Sequence, residues 1–507
     1  MMFRSNNLAA RVFERQILTP RPGTSVNLVR LFYENLVPSC TIYDVDCPDH
    51  GFHKFTDDGQ YLVSFSRNCQ DLIVYRPTWF SFSCKEEDCD SHSLPEKAKR
   101  FDSFFTQLYC VSLASSTEYI CRQFFLYVQS HQFGLFATCT ARCIDAPTTE
   151  GAIDEIPSIE KITFYLVRLE DGVILDEKAF CNDFVSLAEI MGVSFYEDLL
   201  CILSLRYQTL HVLQILNSGG LVDVRNIGIF CREDDELFLN THAQITQGGY
   251  FLSGIKQRLL SFVFRRIWNE EADPTLRVQH LKEFYFRFQD FVDFIMWKMQ
   301  FLDRHHLLIR FGHMDKGVDR ITIQHPTFFA VYNMETTEIV AFYEDSSEEL
   351  YSLFEQFWGD FHCSRNSLHA NFISSHCNNI YALDEYRCMK NSANSTSQFM
   401  KMMISSLPVN CQTPCPSPYL DLSLFQYNHK LFPIFHHVHS AERPVEFTSR
   451  RQPNVLNFKI KSGPEAGVPD GRPERSSLFR FHPYLPLALS IQRTNMQPTV
   501  VNIHFRR

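Results

Sequence analysis

The feature that most constrains this chain is a hairpin phrase that keeps returning. YLVSFSRNCQDLIVY (61–75) superposes on LCILSLRYQTLHVL (200–213): an apolar strand containing Ser, a polar turn that includes Arg, and a returning apolar strand. A second phrase type also recurs, in FYLVRLEDGVILDEKAF (164–180) and FAVYNMETTEIVAFY (329–343). The two ends of the chain echo each other as well. FTDDGQYLVS (55–64) and FHPYLPLALS (481–490) both place a turn cluster and an apolar run between a Phe and a Ser. Antiparallel hairpins at intervals of some tens of residues are the signature of a β-propeller. A propeller closes by pairing its first and last segments, so TIYDV (41–45) and VVNIHF (500–505) are expected to meet.

The expected fold is therefore mainly β: a WD-like propeller over residues 39–507, closed by N- and C-terminal strands. Helical insertions are expected near 253–301, 346–362 and 395–407, where the apolar period shifts towards 3.6. None of the four Trp precedes Asp, so the usual repeat signature of WD-type propellers is missing. Glycine is also scarce, with 19 residues against the usual share of roughly 7%. The alternative architecture is a multidomain protein containing a β-sandwich.

Residues 1–38 carry a different pattern and form an expected N-terminal helix-loop-helix. Leu8, Val12 and Phe13 fall at helical spacing behind Asn6 and Asn7, and Pro20 to Gly23 break the run. In the second helix Val26, Val29, Phe32, Tyr33 and Leu36 line one side, and Pro38 marks its exit. These apolar faces must dock on the repeating domain or on another protein.

Composition removes several function classes. The formal charge of -10 is modest for 507 residues and creates no general field for nucleic acid, so no direct nucleic-acid binding is expected. No run approaches the 18 or more apolar residues of a membrane span. The 17 Cys lack a regular framework and no apolar leader precedes them, which points to reduced, intracellular thiols.

Motifs for phosphate binding, zinc proteolysis and serine hydrolysis are missing, and no cofactor, metal or catalytic residue is expected. The pairs Cys84/Cys89 and Cys411/Cys415 lack the spacing of a tetrahedral zinc site. His305 and His306 are adjacent at a strand entry, where neighbouring side chains point to opposite faces. The acidic run Glu233 to Glu236 reads as a solvated loop, and the basic residues Arg443, Arg450, Arg451, Lys459 and Lys461 as a solvated face. The insert containing Phe284, Phe286, Phe288, Phe291, Phe294 and Trp297 carries more aromatic surface than one face can bury.

ARVFERQI, KFTDDGQYLVSFSRN, RFDSFFTQLY, ILSLRYQTLHVLQI, FLSGIKQRLLSF, FFAVYNMETTEIVAFY and VVNIHFRR together resemble the De-etiolated family, collinearly from residue 9 to 507. The resemblance implies a nuclear, non-catalytic subunit of a cullin-RING ubiquitin ligase that represses photomorphogenesis in plants. Its implied partners are the large damaged-DNA-binding adaptor, a ubiquitin-conjugating enzyme or inactive variant, the constitutive photomorphogenic RING ligase, and histone tails. The implied outcome is turnover or repression of transcriptional regulators, with a chromatin-binding corepressor independent of ubiquitin transfer as the alternative.

Receptors of that adaptor commonly use an N-terminal helix-loop-helix, to which the segment from Leu8 to Leu36 is similar. Leu8, Val12, Phe13, Val29, Phe32, Tyr33 and Leu36 are then the expected anchors. Such receptors also often carry a WDxR motif. In LVDVR here, Asp223 and Arg225 match it, while Val222 stands where the motif has Trp.

Overall fold

The computed structural model describes residues 33–78, 100–143, 152–187, 192–235, 254–313, 327–353, 417–427, 444–460 and 476–506, apart from a few positions inside these stretches. The protein is mainly β, and among the described residues the strands form six antiparallel sheets. After β1 (Cys40–Ile42), the first sheet is β2 (Gly51–Phe55), β3 (Leu62–Phe65), β4 (Asp71–Pro77) and β5 (Phe105–Ser112) in simple up-and-down order. The second joins β6 (Glu118–Ile120), β7 (Leu126–Val128), β8 (Phe133–Thr140), β9 (Arg142–Cys143), β10 (Ser158–Arg168) and β11 (Ile174–Asp183).

The third is β12 (Val193–Tyr196), β13 (Leu199–Ser204), β14 (Thr209–Ile215) and β15 (Leu221–Ile227). Helices α1 (Gly254–Glu270), α2 (Pro274–Phe286) and α3 (Phe288–Asp293) lie between this sheet and the next. The fourth sheet is β16 (Ile295–Phe301), β17 (His306–Gly312), β18 (Phe328–Asn333) and β19 (Glu338–Glu344). The fifth holds β20 (Phe425–Gln426), β21 (Val445–Ser449) and β22 (Gln452–Ile460). The last combines β23 (Ser476–Phe481), β24 (Ala488–Thr494) and β25 (Gln497–Phe505) with β1 from the other end of the chain.

The repeated phrases are hairpins at matching places: 61–75 forms β3–β4, 200–213 forms β13–β14, 164–180 lies in β10–β11, and 329–343 in β18–β19. Their inner strands β3, β4, β10, β13, β14 and β18 are largely apolar because they bury both faces, whereas the edge strands β11 and β19 are partly polar and exposed. Leu62 enters the core shared with the closing sheet, and its neighbour Val63 enters the core shared with the second sheet. Likewise Leu200 and Ile202 face the second sheet, while Leu199, Cys201 and Leu203 face the fourth. Among the described residues five apolar cores are filled this way, each between sheets adjacent in chain order, counting the closing sheet as neighbour of both the fifth and the first.

The chain ends meet as expected. β1 pairs antiparallel with β25, Cys40 opposite Phe505 and Ile42 opposite Ile503. A polar network, buried at Ser490, Asn502 and His504, reinforces the seam. Thr41 Oγ1 lies 2.9 Å from His504 Nδ1, His504 Nε2 lies 3.0 Å from Ser490 Oγ, and Asn502 Nδ2 donates to the same Ser490 oxygen at 3.1 Å. Asn502 Oδ1 accepts from the Asp44 backbone N–H at 2.9 Å.

The two echoing turns also touch. His482 Nδ1 accepts from the backbone N–H groups of Tyr484 and Leu485 (3.1 and 2.9 Å), so Nε2 carries the proton and donates to the Gly59 carbonyl at 3.0 Å. Gly59 has φ +71°, and a Cβ there would lie 2.4 Å from the His482 ring. Burial pushes the His482 and His504 pKa values down to about 3, which keeps both rings neutral.

Helix does not continue to 301 as the sequence pattern suggests. It ends at Asp293, and Ile295–Phe301 is strand β16, with Trp297 on it. Ile295, Met296, Met299 and Phe301 fit either period, and pairing with β17 decides for the strand. The expected helix at 395–407 lies outside the described residues, as does all of 346–362 except a few positions.

Candidate partner-docking surface

Among the described residues, the helices between β15 and β16 form the part whose apolar side chains are least consumed inside the chain. Helix α1 is anchored: Ile255 and Leu259 are buried in the core between the third and fourth sheets. Arg258 adds an ion pair, its Nη1 2.8 Å from Asp235 Oδ2 and its Nη2 3.1 Å from Oδ1. Burial opposes ionisation of Asp235, yet bonds from Arg258 and from the backbone N–H groups of Cys231 and Arg232 outweigh it and hold the carboxyl below the usual range. This aspartate belongs to the acidic run read as a solvated loop, so that reading is corrected for Asp235. Its partner lies 23 positions along the chain, where no local pattern could announce it.

Helix α2 has sound local reasons to form. Asp273 caps it, accepting from the Thr275 backbone N–H at 2.8 Å, and Pro274 occupies the first turn. Tertiary support is thin, since Phe284 is its one buried residue. Phe286 is 89% exposed, Tyr285 63% and, on α1, Trp268 51%, with Leu276 and Val278 also exposed. The Arg277 guanidinium sits 5.4 Å from the Trp268 ring centroid. Among the described residues these are the most exposed large apolar side chains that cluster on one insertion. Beside it a groove of about 830 Å³ runs between α1, α3 and β19. Phe262, Phe291, Phe328 and Phe342 line it, with Arg266, Arg287, Glu270 and Glu349 among its polar walls.

The expected DxR pair lies on β15. Asp223 accepts a bidentate contact from Lys178 Nζ of β11 (2.6 and 2.9 Å), and Arg225 donates to the Met334 carbonyl in the β18–β19 turn. A bulge explains how residues two apart reach opposite ways. Asp223 pairs with Leu213 and Arg225 with Val212, so Val224 is the extra residue and the two flanking side chains lie on opposite faces. The pair thus ties the third sheet to the second and to the fourth.

Leu8, Val12, Phe13, Val29 and Phe32 lie outside the described residues. Tyr33 and Leu36 are described, and for them the expectation of partner-facing anchors is corrected. Tyr33 is fully buried in the core between the fifth and closing sheets, edge-on to Tyr419 with centroids 5.6 Å apart, and Leu36 is 1% exposed. The Tyr419 hydroxyl donates to the Leu36 carbonyl, which fixes this segment to the chain itself.

His306 bonds Asp303 and Asn333, and His305 pairs with Glu335, so both histidines sit at the entry to β17 in turn networks. Among the described residues no group of three or more His, Cys, Asp or Glu is placed to hold a metal, and no helix is long and apolar enough to cross a membrane. Cys84, Cys89, Cys411, Cys415, Arg443, Arg450 and Arg451 lie outside the described residues.

Comparison with known proteins places the whole chain. The light-mediated development protein DET1 of Solanum lycopersicum is 63% identical over 524 residues, and that of Arabidopsis thaliana 56% identical over 543, each alignment covering 100% of both chains. The structure of an uncharacterized Listeria monocytogenes protein aligns with 58% of this chain and 66% of its own at 5% identity, with a TM-score of 0.19. The profile of De-etiolated protein 1, Det1, matches residues 122–507. With three quarters of its length inside that profile and whole-length relatives above half identity, the chain belongs to the De-etiolated protein 1 family.

Proposed function

We propose that the six sheets are the blades of a β-propeller and that the protein is a non-catalytic scaffold in a nuclear cullin-RING ubiquitin ligase acting in light-mediated development. Support for the propeller comes from the pairing of β1 with β25 and from the cores between successive sheets. Support for the developmental role comes from the relatives, whose names record light-mediated development. The ligase role rests on the family resemblance. In this proposal the N-terminal segment carrying Leu8, Val12, Phe13, Val29 and Phe32 contacts the damaged-DNA-binding adaptor. The exposed face of α2 receives another protein of the assembly, which includes a ubiquitin-conjugating enzyme or variant and the constitutive photomorphogenic RING ligase. Transcriptional regulators are brought to the charged enzyme, and transfer is accelerated by effective concentration and orientation rather than by an acid, base or nucleophile of this chain.

The observation that carries the proposal is the exposure of Tyr285 and Phe286 on a helix held mainly by its neighbours. Hot-spot side chains at the centre of an interface cost about 2 kcal/mol or more when truncated, roughly thirtyfold in affinity. The test is a binding titration of purified chain with the adaptor, the conjugating-enzyme variant and the RING ligase. It compares wild type, Tyr285→Asp/Phe286→Asp and Val12→Asp/Phe32→Asp, with circular dichroism as the check on folding. The α2 variant is expected to lose one partner and the N-terminal variant the adaptor. Folded variants that hold every partner at wild-type affinity would sink the proposal.

A further inference from the structure

The turn after β6 places two cysteine thiols against each other. Cys121 Sγ lies 3.2 Å from Cys139 Sγ on β8. A disulfide needs about 2 Å, so a shift of little more than 1 Å would join them. The backbone holds the pair in place: Cys121 N–H donates to the Ala137 carbonyl at 2.8 Å, and Tyr119 pairs with Cys139, which puts both thiols on one face of the second sheet. Cys139 is buried in the core between the second and third sheets, and the partly buried Cys121 packs at its border. Neither residue takes part in the surfaces proposed for partners.

We propose that Cys121 and Cys139 form a reversible disulfide when the protein meets a peroxide. Two thiols are oxidised and one peroxide is reduced: the thiolate of one cysteine attacks the peroxide, water leaves from the resulting hydroxide and proton, and the sulfenic acid so formed condenses with the second thiol. That condensation forms the S–S bond and releases a second water. The bond fastens the β6–β7 turn to β8. The neighbouring Cys139 thiol and burial both raise the Cys121 pKa well above the usual thiol range, so Cys121 is protonated at neutral pH and reacts slowly. The cross-link therefore records sustained rather than brief oxidation.

The experiment exposes folded full-length protein to hydrogen peroxide, removes the oxidant, alkylates remaining thiols and maps cross-linked peptides by mass spectrometry. The expected result is a Cys121–Cys139 peptide pair in the native protein, reversed by dithiothreitol and missing in Cys121→Ser and Cys139→Ser. Its formation rate should rise about tenfold per pH unit from neutrality, as the thiolate fraction does. Cys69 is the built-in competitor, since its sulfur sits on the adjacent turn, 2.6 Å from Arg122 Nε. A Cys69–Cys121 bond instead, alkylation of both Cys121 and Cys139 after oxidation, or a cross-link that forms only in urea would overturn the proposal. The readout is on the wild-type chain, so misfolding of a Ser variant leaves the test intact.

Discussion

The closing sheet and the helical insertion are both rich in apolar residues, yet they dispose of them in opposite ways. In the closing sheet Leu489, Ile491, Val501 and Ile503 are wholly buried against the first sheet, and the polar groups Ser490, Asn502 and His504 are buried with hydrogen-bond partners. In α2 one aromatic side chain is buried while Tyr285 and Phe286 stand out in solvent. The first region uses its residues to hold the chain together; the second leaves them available. Substitutions should therefore separate stability from binding along this line.

The largest effect is expected at the closure. Leu489→Ala removes a fully buried side chain from a core that joins both chain ends, and should cost about 2–5 kcal/mol in urea unfolding. A loss under about 1 kcal/mol would mean that the seam is not load-carrying.

Acid is the next way to break it. His482 and His504 have folded pKa values of about 3, below the usual value near 6.5. The unfolded chain binds protons that the folded one refuses, so stability is full above pH 6.5 and falls as the pH drops towards 3. Between pH 6.5 and 5 each histidine should remove roughly 2 kcal/mol. A His504→Gln variant should show about half of this pH dependence in thermal melts. An unchanged slope would show that His504 is not buried neutral.

A smaller contrast lies between two ion pairs. Arg258 and Asp235 are both largely screened from solvent, whereas Lys178 and Asp223 are more exposed. Arg258→Ala leaves a part-buried carboxylate without its guanidinium and should cost about 1–3 kcal/mol; Lys178→Ala should cost under about 1 kcal/mol. Equal costs in parallel denaturation curves would remove the distinction between the anchor of α1 and a surface tie. Smallest of all, Phe286→Asp should change stability by less than about 0.5 kcal/mol.

Much of this contrast could be read in the sequence, and the gaps have physical causes. Hairpins such as β3–β4 and β13–β14 were legible because period and turn residues are local properties. The meeting of β1 with β25 was legible because the chain repeats itself at both ends. Strand β16 was not, because its apolar spacing suits a helix equally and only β17 decides. Nor was the fate of Tyr33 and Leu36, since an amphipathic face reads the same whether it docks on its own chain or another. The opposite directions of Asp223 and Arg225 depend on a bulge at Val224, set by the register of β14 against β15. Asp235 lay hidden within an acidic run whose partner is distant in sequence.

The most direct test is amide hydrogen exchange of the full-length chain, alone and within the reconstituted assembly, followed by mass spectrometry. The expected result is slow exchange in β24 and β25 under both conditions, with fast exchange in α2 alone that slows when the partners are added. If α2 is already as protected as β24 in the isolated chain, or stays equally fast in the assembly, the exposed helix is not the surface through which this protein is read.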